Sequence, residues 1–481
     1  MIRFIEAVKT VIIALLIFTM LFLWTKNMQL HFPKNTSRDN VVFLESDFWI
    51  FTDSTNAPSK TVADAEYFSP IGITMVANNT PYTSHANKEL TRVLWENELS
   101  LVKEVFSSSY TCKKDTWKTW ENALLSESLI LIDFADALPY TTICEFDNKT
   151  SNFANGELCT VKSLILFPDK NDVVSALALN DKNEIFSFTS NLDPASSLIY
   201  DFNSNNLTAY TVNKGLIETY FNLSKFANVP AHHKILTSPL SLPNIKVENT
   251  IASLFEKFYS SEKVNNLTIV TDEAITKLLT IFEINPSTVG VYTDANSKLI
   301  FINSNTRLAI GSKGTIEYAV NTQGDVQISV SSLLESERTQ FSSFEYLASA
   351  TKFLNTLKGS FIGNDTDIML EKIEYADENT TFYFGYYKNL CKVSTPNNTD
   401  HIKLVFNSTG LIKADIIPLV ISESEEPLTE NPDVIKANIA EELALSLAKS
   451  KQTLDDFRPV YVYTENNSCV EPIWATIVRR K

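Results

Sequence analysis

Residues 342–359 read SSFEYLASATKFLNTLKG. Ser342 and Glu345 have the spacing of a capping box, in which a hydroxyl and a carboxylate satisfy the free amides at a helix start. The pattern predicts a helix from there to Leu357, closed by Gly359. Runs with strand character follow at Met369 to Tyr375, Thr381 to Tyr386 and Ile402 to Phe406, and Ser408-Thr409-Gly410 turns into Leu411 to Ile421. A Glu/Pro-rich loop ends at Pro432, Val434 to Lys449 has helical spacing, and strands at Val460 to Tyr463 and Ile473 to Val478 flank the turn Asn466-Asn467-Ser468. A helix followed by hairpin-connected strands implies α+β architecture with antiparallel sheets and packed helices.

The same style extends backwards. Val247 to Tyr259 and Asp272 to Phe282 read as amphipathic helices, followed by strands at Val289 to Tyr292, Leu299 to Ile302, Leu308 to Ile310, Ile316 to Ala319 and Val326 to Val330. Nearer the start, Lys88 to Phe106 carries apolar residues at helical spacing, and a short helix holds Trp117, Trp120, Leu124 and Leu125. The apolar run Leu129 to Ile132 and strands at Ser163 to Phe167, Val173 to Leu179 and Glu184 to Ser190 follow; Val41 to Phe51 is β-like. The expected organisation is an N-terminal α+β domain over 41–195, a middle α+β domain over 196–335 and a C-terminal α+β domain over 336–481.

Composition supports folded domains: 481 residues, 44% hydrophobic and 20% charged. The formal charge of −16 argues against binding nucleic acid or other anionic polymers. Only 11 glycines weigh against glycine-rich phosphate cradles and doubly wound nucleotide folds.

Before the first domain, Thr10 to Thr25 is an apolar run without a charge. At about 1.5 Å per residue it nearly spans a hydrocarbon core of about 30 Å. Lys9 can snorkel at one end and Trp24 suits the interface at the other. No small-x-small cleavage site follows, so the run reads as an uncleaved single-pass anchor rather than a signal peptide. It divides the segment into a cytosolic tail (1–9), a transmembrane helix (10–25) and a polar linker (26–40), with the bulk of the chain extracytoplasmic in a cell membrane. Ala7, Thr10 and Ala14, continued by Ile17 and Leu21, fall on one face, where small residues let a partner helix approach.

Chemistry-bearing motifs are sparse. The five cysteines (112, 144, 159, 391, 469) show no CxxC or zinc-like spacing; Cys144 and Cys159 are close enough to bridge, but scattered core thiols are the reading taken. No HExxH occurs among the five histidines, and neighbouring His232 and His233 point apart on any regular element. SxxK appears at Ser260-Lys263, Ser349-Lys352 and Ser446-Lys449 without the K-[ST]-G that acylating enzymes pair with it. Asp365-Thr366-Asp367 matches the DxD of many glycosyltransferases, but a turn-like Gly363-Asn364 precedes it where an apolar strand is wanted. Asp169 to Asn171 and Asp294 to Asn296 read as hairpin turns rather than calcium loops. No catalytic residue, cofactor or metal site is expected.

The arrangement resembles the YycH family, whose shorter relative is YycI: membrane-anchored regulators of the cell-wall sensor histidine kinase YycG/WalK in low-GC Gram-positive bacteria. The residues that carry it are Ala7-Val8-Lys9-Thr10 through Leu23-Trp24, Trp117 through Pro139, Phe282-Glu283-Ile284-Asn285-Pro286, Leu308-Ala309-Ile310, Gly314 to Tyr318, Phe384-Gly385-Tyr386 and Pro472-Ile473-Trp474. The resemblance implies a non-catalytic regulatory protein of a two-component system, with a C-terminal domain like that of YycI. Its extracytoplasmic body would pair with a YycI-like protein, and its helix in the lipid bilayer would pack against the kinase helices. Two other readings stay open: an extracytoplasmic ligand-binding or sensor module, and an anchored glycosyltransferase or hydrolase.

Overall fold

The computed structural model describes residues 41–43, 49–51, 68–77, 80–84, 88–108, 111–126, 128–140, 160–168, 173–189, 243–259, 266–321, 326–338, 341–376, 379–394, 401–424, 452–463, 469–470 and 472–480. Strands β1 (Val41–Phe43) and β2 (Trp49–Phe51) form a hairpin. The next elements are β3 (Gly72–Ala77), β4 (Thr80–Thr83), α1 (Lys88–Ser108), β5 (Thr111–Asp115), α2 (Trp117–Leu124), β6 (Leu129–Pro139), β7 (Thr160–Pro168), β8 (Val174–Leu179) and β9 (Ile185–Thr189). Strands β3 to β9 make one antiparallel sheet in the order β4-β3-β6-β7-β8-β9-β5.

Helix α1 and helix α2 explain why β6 reads as an unbroken apolar run. Ile130, Ile132 and Phe134 join the core that contains Trp95, Val102 and Phe106 of α1. Leu129 and Leu131 point the other way, to Trp120, Ala123 and Leu124 of α2. A strand covered on both faces has no polar side to show, so alternation disappears. Trp95 meets Phe134 edge to face at 5.7 Å, and Phe68 lies 6.1 Å from both rings.

The second half opens with β10 (Ile245–Glu248), α3 (Thr250–Tyr259), α4 (Asn266–Thr271) and α5 (Glu273–Ile281), then β11 (Gly290–Thr293), β12 (Leu299–Ile302), β13 (Thr306–Ile310) and β14 (Ile316–Val320). Helices α6 (Val330–Leu334) and α7 (Ser343–Leu357) precede β15 (Asp367–Ala376), β16 (Asn379–Lys388), β17 (Cys391–Ser394), β18 (Ile402–Phe406), β19 (Leu411–Ile416) and β20 (Val420–Glu423). The last strands are β21 (Gln452–Val462), β22 (Cys469–Val470) and β23 (Pro472–Arg480). One large sheet runs β11-β12-β13-β14-β19-β18-β16-β17-β21-β23, with β15 also on β16. Strand β14 pairs with β19, so this sheet passes without a break from the segment 196–335 to the segment 336–481. Every pairing in it is antiparallel except β17 with β21. Strand β10 pairs with β20 and β22 in a separate small sheet.

Helices α5 and α7 cover the large sheet: Phe282 lies 5.1 Å from Tyr318 and 5.4 Å from Phe353, and Tyr346 lies 6.5 Å from Phe406. The capping box at Ser342 and Glu345 forms in both directions, and Gly359 takes a left-handed φ of 75° just past the helix. Together these elements make a mixed α+β molecule of mostly antiparallel sheets.

Three expectations need correction. Val247 belongs to β10, not to a helix; Asn249 follows, and its Oδ1 accepts from the amides of Ile251 and Ala252 to start α3. Val326 to Val330 is not a strand: Ser329 caps α6 by accepting from Ser332 N, and only an isolated bridge to Gly410 remains. Leu411 to Ile421 is two strands in two different sheets. The helix expected at 434–449 lies outside the described residues.

Candidate functional site

The two large sheets meet where β6 packs on β15. Ile71 and Ala135 contact Met369, Tyr387 and Leu390 in a small apolar cluster. Polar groups stand beside it. Lys88, the first residue of α1, donates to Asp367 Oδ1 at 2.6 Å, joining residues far apart in sequence. Asp367 opens β15 and pairs in register with Tyr387.

Farther along β15 the register shifts between Leu370 and Lys372, so Glu371 sits at a bulge without a partner position. Its carboxylate lies over Gly385, where a Cβ would come within 2.0 Å of Oε1. Tyr387 O–H donates to that oxygen at 2.8 Å, and Lys392 Nζ donates to the carboxylate at 2.8 Å. Tyr387 and Lys392 are cross-strand partners, which places them side by side on one face. Glu371 is 5% exposed, so the pair is a buried one, held by three groups that satisfy one another.

His401 lies nearby, immediately before β18. It is 1% exposed, and its ring meets that of Tyr386 edge-on at 5.3 Å. Neither ring nitrogen has a hydrogen-bond partner among the described residues. Burial pushes its pKa down to about 4; Glu371 opposes that shift and Lys392 adds to it. At neutral pH the imidazole is uncharged.

The residues singled out from sequence fare differently. Ala7, Lys9, Thr10, Ala14, Ile17, Leu21 and Trp24 lie outside the described residues, as do Cys144, Cys159, His232, His233, Ser260 and Ser446. Among the described residues no helix is long and apolar enough to cross a membrane. Ser349 is buried, and its hydroxyl donates to the carbonyl of Glu345 at 2.8 Å within α7, a packing role. In the DxD triplet, Thr366 is buried and accepts from Ile421 N, while Asp367 is paired with Lys88. Asp294 caps the β11–β12 turn by accepting from the amides of Asn296 and Lys298. Among the described residues no group of three or more His, Cys, Asp or Glu side chains is placed to hold a metal ion.

Sequence reasoning missed Lys88, Glu371, Tyr387 and Lys392, because pairs separated by tens or hundreds of positions leave no local pattern. One signal was present. Gly385 interrupts an aromatic strand, and a glycine inside a strand marks a close approach by another group. No family model matches the chain, and no curated protein or solved structure matches it.

Proposed function

We propose that this chain is a non-catalytic, membrane-anchored regulator of a sensor histidine kinase controlling cell-wall metabolism, acting beside a YycI-like protein. The observation that carries the reading is the charge-free run Thr10 to Thr25 with Lys9 and Trp24 at its ends, set before a large α+β body. In this reading the body lies outside the cell and only the helix can report its state across the bilayer. The polar groups gathered where the two sheets meet support it: Lys88 is matched by Asp367, and Lys392 and Tyr387 by Glu371. Such mutually neutralised groups hold elements together rather than await a substrate. Regulation then consists of different affinities of the helix face Ala7, Thr10, Ala14, Ile17 and Leu21 for two kinase conformations.

A photo-crosslinking residue at position 14, activated in native membranes, tests the reading. Capture of a sensor kinase or a YycI-like protein supports it; capture of lipid alone overturns the mechanism. A second reading, an extracytoplasmic ligand-binding module, is favoured by His401, whose two buried ring nitrogens have no partner among the described residues.

A further inference from the structure

Strand β11 closes one end of the large sheet and pairs only with β12 among the described strands. Just past its end Asp294 N donates to Lys298 O at 3.0 Å, and on the far side of β12 Asn303 N donates to Thr306 O at 3.0 Å. Both bonds fix the same phase in the ladder. Gly290 and Tyr292 turn their backbone groups to Ile302 and Ile300 of β12, so Val291 and Thr293 turn theirs outward. Among the described residues these outward groups have no partner. The edge is open to solvent: Gly290 and Thr293 are exposed, and 46% of Tyr292 is exposed.

The other described edge strands of the two large sheets carry features that discourage pairing. Strand β4 contains Pro81, β5 contains Lys113 and Lys114, β15 has its bulge at Glu371, and β23 begins with Pro472 and ends in arginine. Strand β11 reads Gly-Val-Tyr-Thr, with no charge, proline or bulge. It is also matched to itself. Laid antiparallel on a second copy about a two-fold axis at Tyr292, Val291 faces the copy's Thr293, and Thr293 faces the copy's Val291. Each such pair exchanges both of its N–H···O bonds. The two Tyr292 side chains then stand opposite one another on one face, with Cα atoms about 4.5 Å apart. Asp294, the first charge past the strand, falls against the copy's Gly290 and not against its own copy. Its Oδ1 is already engaged by the amides of Asn296 and Lys298. In a chain of net charge −16, self-association needs a contact of this kind, which brings no like charges together.

We infer that β11 is a dimerisation edge, at which two copies of this chain join their large sheets around Tyr292. A contact between two four-residue strands is small, so the dimer is a weak one that forms as concentration rises. Nothing in the pairing requires a bilayer or a kinase.

The test uses the purified full chain in detergent. Tyr292→Cys should give a disulfide-linked dimer on mild oxidation, above the background from the native cysteines of the unsubstituted chain, because residues opposite each other in such a pair lie within bridging distance. Asn296→Cys, also exposed but in the turn away from the axis, should stay at that background. Sedimentation at rising concentration is the second readout. Y292K and Y292E should each weaken the dimer about fivefold, and a mixture of the two should associate more strongly than either alone, because opposite charges then face each other. No disulfide above background, equal trapping at position 296, or a mixture no stronger than its components would overturn the inference. A photo-crosslinking residue at position 292 in native membranes separates the other occupants. Adducts to β11 of a second copy support the dimer edge; adducts only to another segment of the same chain or to a different protein, or none, overturn it.

Discussion

The Glu371 carboxylate occupies the space that a side chain at position 385 would fill, with Oε1 only 2.0 Å from where a Cβ would stand. Gly385→Ala is therefore expected to push the carboxylate off Tyr387 and Lys392 and to destabilise by about 2 kcal/mol, the usual cost of overpacking a filled interior. In a background already carrying Glu371→Ala the same change should cost little. Urea unfolding of the two pairs of variants measures this non-additivity.

Lys392 is matched by Glu371 in a place where water does little screening: their side chains are 13% and 7% exposed. Lys392→Met leaves a buried carboxylate without its cation and should cost about 3 kcal/mol. Replacing Glu371 and Lys392 together by apolar residues should recover most of that loss. A double variant as unstable as the single one would show that the ion pair is not what the site needs.

His401 makes stability pH-dependent. Its pKa lies near 4 in the folded chain, against an ordinary value of 6.5. The unfolded chain therefore binds more protons between those values. The contribution is fully present above pH 6.5, declines as pH falls through the window, and is gone below about 4. Its full size is on the order of 3 kcal/mol. His401→Phe should flatten this part of the profile. Unfolding curves at pH 7.5 and pH 4.5 for both chains give the comparison; an unchanged slope in the variant would assign the acid sensitivity elsewhere.

Lys88 and Asp367 tie α1 to β15 across the meeting of the two sheets. Lys88 is about a third exposed, so global stability should change by less than about 1 kcal/mol in Lys88→Ala. The larger effect is expected locally. Amide exchange in β6 and β15 should quicken while that in β8 and β18 stays as it was.

Ser342→Ala removes the hydroxyl that accepts from Glu345 N at the start of α7. A loss of about 1 kcal/mol is expected, and Ser342→Asp should restore it. Thermal unfolding distinguishes the three chains.

Elements with their own local logic were legible in the sequence. The capping box gave α7 its start, and the apolar spacing from Leu90 to Val105 marked α1. Segments whose state is set by a partner were not. Val247 looks like the first turn of α3 but is held as strand by Ile421 of β20. Val326 to Val330 alternates like a strand, yet Ser329 caps a helix that begins at Val330. The cluster around Glu371 was invisible for the same reason. A bulge aims the carboxylate at Gly385, and nothing in DIMLEKIEYA announces where the bulge falls.

Among the described strands one pairing is parallel, β17 with β21, and it joins residues about seventy positions apart. A hairpin closes its own loop cheaply, whereas this contact must gather a long stretch of chain before any hydrogen bond rewards it. The order of assembly follows. Strands β15 to β19 can zip together from neighbouring turns, and the pair β21–β23 docks on them last. On the way back the same seam is expected to part before the hairpins do, with β21 and β23 leaving as one unit.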